Sequence, residues 1–137
     1  MTQTFSGGCN CGAVRYESSA EPVFAGHCQC RHCQRASGVG HTSVIGVPLD
    51  ALTITGEVKY FDYTADSGNI ASHGFCPNCG SQLLGKSSGM PGAIGIKVGS
   101  LDDSSWFRPG MTIFTARAQP WDLVEPDLPA FPGMPNL

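Results

Sequence analysis

Gly74-Phe75-Cys76-Pro77-Asn78-Cys79-Gly80-Ser81 is a Cys-x-x-Cys knuckle, and Gly8-Cys9-Asn10-Cys11-Gly12 is its shorter counterpart near the start of the chain. A knuckle turns the backbone so that both sulfurs reach one tetrahedral ion at about 2.3 Å. Glycine after the second cysteine is expected to relieve crowding where backbone amides approach sulfur. Two such pairs, far apart in sequence, make one four-cysteine site when they meet. Cys9, Cys11, Cys76 and Cys79 are therefore expected to hold a structural zinc that clamps the first strand to a later hairpin.

Three cysteines remain, on the single local turn Cys28-Gln29-Cys30-Arg31-His32-Cys33. Three protein ligands with a fourth position open is the pattern of a zinc that does chemistry. Four thiolates on a divalent ion give a saturated centre of formal charge −2. Three give −1 and leave a Lewis acid able to accept an incoming thiolate, hydroxide or carbonyl oxygen. Two zinc ions per chain are thus expected, the second held by Cys28, Cys30 and Cys33. A closed site of three cysteines and one histidine is an alternative, completed by His27, His32, His41 or His73. An iron–sulfur cluster is another, although its usual cysteine spacings differ from this one. His32 adjoins Cys33 and is expected to turn away from the metal.

The rest of the chain bounds these readings. A length of 137 residues suits one domain. The 18 glycines and 10 prolines favour turns and short extended segments over a helical bundle. The formal charge of −3, with Lys and Arg scattered singly, provides no basic stripe for a phosphate backbone, so nucleic acid is not an expected partner. Neither a basic, apolar leader nor an apolar run of about 18 residues occurs, so a soluble, cytoplasmic protein without membrane attachment is expected. Seven cysteines cannot all pair as disulfides, and a reducing cytosol would keep them as thiols. Metal ligation also suits a small, glycine-rich domain, because a structural zinc contributes on the order of 10 kcal/mol only when its ligands come together.

Periodicity predicts antiparallel strands at Ala13–Tyr16, His41–Val47, Leu52–Thr55, Val58–Thr64, Ile70–Phe75, Gln82–Gly85, Ala93–Val98 and Met111–Thr115. The strand at 52–55 and the run at 58–63 flank Gly56-Glu57 and read as a hairpin. Asp66-Ser67-Gly68-Asn69 reads as a turn. One short helix is predicted at Arg31–Ser37, ended by Gly38. Prolines 120, 126, 129, 132 and 135 predict an extended tail over the domain. The zinc domain is placed at residues 1–125 and the Pro-rich tail at 126–137.

Gly7-Gly8-Cys9-Asn10-Cys11-Gly12, His27-Cys28-Gln29-Cys30-Arg31-His32-Cys33 and Gly74-Phe75-Cys76-Pro77-Asn78-Cys79-Gly80-Ser81 occur in that order, with Pro120-Trp121 near the end. The set resembles the glutathione-dependent formaldehyde-activating enzyme (GFA) family, whose domain also occurs in centromere protein V. The resemblance implies a mainly β, Mss4-like fold of antiparallel sheets. It also implies structural zinc at Cys9, Cys11, Cys76 and Cys79, and a second zinc at Cys28, Cys30 and Cys33. The implied activity is a carbon–sulfur lyase reaction run in reverse, in which glutathione and formaldehyde combine to S-(hydroxymethyl)glutathione. Arg31 and His32 are candidates to stabilise a developing alkoxide. Phe75 and Trp121 are candidates to line a substrate cleft, against ordinary packing roles. The alternative to an enzyme is a non-catalytic zinc-binding module, either a glutathione carrier or a protein-interaction surface.

Overall fold

Glycine, proline and serine punctuate the chain so often that its extended runs are three to seven residues long. The protein is described here from a computed structural model covering residues 4–135. Its strands are β1 (Phe5–Gly8), β2 (Arg15–Ser18), β3 (Phe24–Cys28), β4 (Thr42–Pro48), β5 (Leu52–Thr55), β6 (Lys59–Thr64), β7 (Ile70–Phe75), β8 (Gln82–Ser87), β9 (Ala93–Lys97) and β10 (Met111–Ile113). The α-helix α1 spans Arg31–Ser37, as expected. Cys30 caps its start, Sγ accepting from Cys33 N at 3.3 Å, and Gly38 ends it in the left-handed conformation. Among the described residues no helix is long and apolar enough to cross a membrane.

A small sheet has the order β1-β2-β5 and a large one the order β10-β3-β4-β9-β8-β7-β6. Alternation gives the large sheet two different faces. On one, Ile45, Ile96 and Leu84 stand in register on β4, β9 and β8, fully buried against Val14 and Tyr16 of the small-sheet layer. On the other, the cross-strand neighbours Gly46, Gly95 and Gly85 carry no side chain at all. The first face forms the core and the second leaves a trough.

Several expectations are corrected. The segments on either side of Gly56-Glu57 do not form a hairpin: β5 pairs with β2, and β6 pairs with β7. The turn signal is real, but there the chain leaves one sheet for the edge of the other, with Gly56 pressed on the Ala13 carbonyl. The sheets are not wholly antiparallel, because β10 runs parallel to β3. Strands β1 and β3 are absent from the expected set because glycine and alanine depress their β-propensity. Both depend on that smallness: a Cβ on Gly7 would stand 2.3 Å from Tyr16 Oη, and one on Gly26 would stand 2.7 Å from the Met111 carbonyl. The hairpin between β6 and β7 turns through Asp66-Ser67-Gly68-Asn69, as its composition suggests. Beyond it, the proline-rich segment runs along β10, where Thr112 N donates to Pro129 O and Phe131 N donates to Thr112 O, both at 2.9 Å.

The two sheets are also tied electrostatically. The Arg15 guanidinium on β2 donates to both carboxylate oxygens of Asp102, at 2.9 Å to Oδ1, and the Ser6 hydroxyl donates to Oδ2 at 2.8 Å. Arg15 foremost, then Ser6, lowers the Asp102 carboxyl to about 2 from 3.8. A depressed carboxyl contributes stability that is complete above its unfolded value and fades as the pH falls towards the folded one. Asp102→Asn should therefore lower Tm by a few degrees, by the same amount at every pH from 8 down to 5. Thermal melts across that range check this, and a gap that narrows between pH 8 and 5 would assign the effect to another group.

Candidate functional site

The seven cysteines are all free, and the fold collects them into two groups. The sulfurs of Cys9, Cys11, Cys76 and Cys79 all lie within 4.8 Å of one another, as do those of Cys28, Cys30 and Cys33. In the first group, the end of β1 delivers Cys9 and Cys11, and the turn after β7 delivers Cys76 and Cys79. Cys9 and Cys11 sulfurs are 3.6 Å apart, and Cys11 and Cys76 sulfurs 3.8 Å. A tetrahedron with zinc–sulfur bonds of about 2.3 Å has edges of about 3.8 Å, so the donor set fits the ion. Amide donors surround it: Val14 N and Cys79 N point at Cys9 and Cys76 sulfurs, at 3.2 and 3.5 Å, and Asn78 Nδ2 reaches Cys11 at 3.2 Å. The Ser81 hydroxyl, foremost, brings the Cys79 thiol down to about 5. Gly12 and Gly80 are needed for a reason other than crowding. A Cβ at either would meet nothing, but their φ angles of 81° and 76° are left-handed, and that closes the knuckle turns.

The second group spans the end of β3 and the first turn of α1. Cys30 and Cys33 are buried and Cys28 half-buried, packed with Ile113 and Phe114. Three thiols so close cannot all ionise unaided. Hydrogen bonds with Cys30 and Cys33, and then burial, push the Cys28 thiol far above its ordinary range. Cys28, then Cys30, holds the Cys33 thiol well below it, with the Lys97 charge acting in the same direction. A divalent cation is the partner that lets all three be thiolates.

No histidine joins these sulfurs among the described residues. His27 uses both ring nitrogens elsewhere, Nδ1 at 2.9 Å from Ser43 Oγ and Nε2 at 3.0 Å from Glu125 Oε1. His41 Nδ1 bonds Asp122, which also accepts from Gln29 Nε2 at 3.0 Å. His32 stacks on Tyr63 at 4.2 Å between ring centroids, and His73 stacks on Tyr63 at 5.0 Å. Each candidate to close the three-sulfur set thus has a place outside it.

The trough over the glycine row and the three sulfurs belong to one cleft of about 190 Å³. Phe24, Tyr63, Ile113 and Phe114 form its apolar walls, and Met134 reaches it from the tail. Arg31 and His32 do not line it: the guanidinium bonds Gln34 of its own helix. Phe75 and Trp121 do not line it either, and Trp121 is 62% exposed. Two further residues line it, Lys97 and His73, each 8% exposed. His73 reads in the sequence only as a possible metal ligand. Lys97 lacks any motif; its signal is a lone cation closing a run of β-strand residues whose neighbours are all buried or half-buried.

The family model described as glutathione-dependent formaldehyde-activating enzyme matches residues 4–117. A Halomonas elongata protein carrying that family's name is 32% identical over an 82-residue alignment that covers 56% of this chain and 52% of that protein. The chain therefore aligns with about half the length of this curated relative. A crystal structure of a Rhodobacter sphaeroides protein shares the fold, with a TM-score of 0.59 at 23% identity over 91% of this chain and 98% of the other. With all seven cysteines inside the matched residues and gathered four and three, the chain belongs to the glutathione-dependent formaldehyde-activating enzyme family.

Proposed function

We propose that this protein is a zinc-dependent enzyme of the carbon–sulfur lyase type, acting on the adduct of a small thiol, glutathione first, with formaldehyde or a related electrophile. The observation that carries this reading is the incomplete set: three sulfurs converge, no fourth protein donor joins them among the described residues, and they open on a cleft. Cys9, Cys11, Cys76 and Cys79 would hold a structural zinc, and Cys28, Cys30 and Cys33 a second one. Zinc at the second site supplies Lewis acidity that keeps a thiol ionised near neutral pH.

The chain's own residues do the rest. The glycine row lets a ligand approach the backbone of the sheet, while Phe24, Ile113 and Phe114 exclude water from the reacting sulfur. Holding thiol and aldehyde in one cleft lowers the entropic barrier to addition. His27 and His41 anchor Glu125 and Asp122, so the segment after Pro120 is fastened beside Cys28. Seven unpaired thiols suit a reducing, cytoplasmic setting.

The two sites should respond differently to the same chemistry. Cys79→Ser should release one zinc and lower Tm by well over ~10 °C, whereas Cys30→Ser should release the other, abolish turnover and lower Tm by less than about 5 °C. Metal analysis with thermal melts checks both, and equal losses would make the second site structural.

An open position also has a spectroscopic signature. Adding glutathione to the cobalt-substituted protein should change the thiolate-to-cobalt charge-transfer band, with S-methylglutathione far less effective. A silent spectrum would overturn the reading. A changed spectrum without turnover of glutathione and formaldehyde would make the protein a thiol carrier.

A further inference from the structure

A lysine closes the strand that floors the cleft, and no carboxylate among the described residues accompanies it into the interior. Lys97, at the end of β9, is 8% exposed, and none of the ion pairs among the described residues includes it. Burying a cation without an anion costs several kcal/mol. The other lysine of the cleft, Lys86, is explained by its place 4.3 Å over the Tyr60 ring. Lys97 instead reaches sideways over the neighbouring strand: Nζ lies 3.8 Å from where a Gly85 Cβ would stand. The ammonium therefore lies beside Gly85, the end of the glycine row, within Coulombic reach of Cys33 and of His73.

His73 is the second anomaly. It is the register partner of Gly85, and both its ring nitrogens are buried without any hydrogen-bond partner. Buried polar atoms in native proteins are almost always paired, so an unpaired pair on a residue that lines the cleft points to a ligand that supplies a partner as the ring adjusts to it. Burial first, then the Lys97 charge, lowers the imidazole to about 4, so it is neutral at physiological pH and keeps one N–H to donate. Two residues with N–H donors thus line the same cleft as the glycine row and the three sulfurs.

We propose that Lys97 and His73 form an oxyanion site, in which Lys97 is the catalytic residue that holds the carbonyl oxygen of the small aldehyde while a thiolate adds to its carbon. This rests on the carbon–sulfur reading above. The thiolate lone pair forms the C–S bond, the C=O π pair moves onto oxygen, and the alkoxide pairs with the Lys97 ammonium and the His73 N–H. Solvent water then protonates that oxygen, which balances the proton the thiol released on ionising. In cleavage the same contacts hold the oxygen as the C–S bond breaks. Arg31 and His32, the candidates that sequence proximity suggested, lie outside the cleft that these two residues line.

The test combines turnover with a binding measurement that needs no turnover. Lys97→Met should lower kcat for glutathione and formaldehyde by about 10²–10³-fold, leaving zinc content unchanged and KM for glutathione within about threefold. Lys97→Arg should recover part of the loss, and His73→Phe, which keeps the stack on Tyr63, should cost about tenfold. Calorimetry should show wild type binding S-(carboxymethyl)glutathione at least ~10-fold more tightly than S-methylglutathione, since the carboxylate places an anionic oxygen at the proposed site. Lys97→Met should erase that preference. Gly85→Ala adds a methyl beside Nζ without a clash and should also reduce it. Unchanged kcat in Lys97→Met, or loss of zinc and thiol affinity in step with rate, would overturn the oxyanion role. A preserved carboxymethyl preference in wild type with no turnover would sink the carbon–sulfur reading and leave the anion site standing. A wild type that turns over glutathione and formaldehyde yet shows no preference for the carboxymethyl thioether would sink the anion site and leave the carbon–sulfur reading standing.

Discussion

Sulfurs brought to 3.6 and 3.8 Å of one another, drawn from the end of the first strand and from the turn after the seventh, form a clamp able to take a metal ion where the two sheets meet. Thiolates at that separation repel unless a cation lies between them, so the geometry of the group is compatible with a metal ion at its centre. The clamp joins the small sheet, which β1 and β2 build, to the large sheet through the end of β7. The Arg15–Asp102 pair and the Tyr16–Ser100 hydrogen bond at 2.6 Å fasten the same seam from its other side. With many glycines to order, a fold of this size gains from such cross-links in addition to its core.

What the clamp secures is a sheet with one packed and one bare face. Ile45, Ile96 and Leu84 occupy the core row, and Gly46, Gly95 and Gly85 adjoin them by one residue on the same three strands. Period-two alternation then dictates that the bare positions all open to the opposite side. The core and the cleft are consequently one pattern read on two faces. Filling the trough by substitution at one glycine leaves the hydrophobic row undisturbed, which separates the requirements of folding from those of binding.

The knuckles, the helix and its glycine cap were legible because each is a local signal with a local cause: chain turning at sulfur, or a left-handed residue ending a helix. The partition of the cysteines was legible from counting. Pairing was not. Gly56-Glu57 marks a change of direction, and the same signal serves a hairpin and a crossing between sheets, so only the competing partners β2 and β7 decide it. Strands β1 and β3 were hidden because their glycines answer to tertiary contact with Tyr16 and Met111, not to β-propensity. Lys97 was hidden, and His73 was legible only as a possible metal ligand, for a related reason: their meaning comes from the register of the strands around Gly85, and a register has no one-dimensional trace.

The unequal split of sulfur also follows from where each group lies. A zinc with four thiolates would carry −2, and Cys11 and Cys79 of that group are exposed, with amides, Asn78 and Ser81 arranged about the sulfurs to solvate the charge. The second group is walled by Ile113 and Phe114, where the same charge would cost far more. Three thiolates would leave −1 there, and one buried lysine offsets it. A fourth protein thiolate would break that balance permanently. A substrate thiolate would break it only while bound, beside a cation already in place to meet the negative charge as it passes from sulfur to oxygen. On this argument the missing ligand and the unpaired lysine are a single feature, and each loses its purpose without the other.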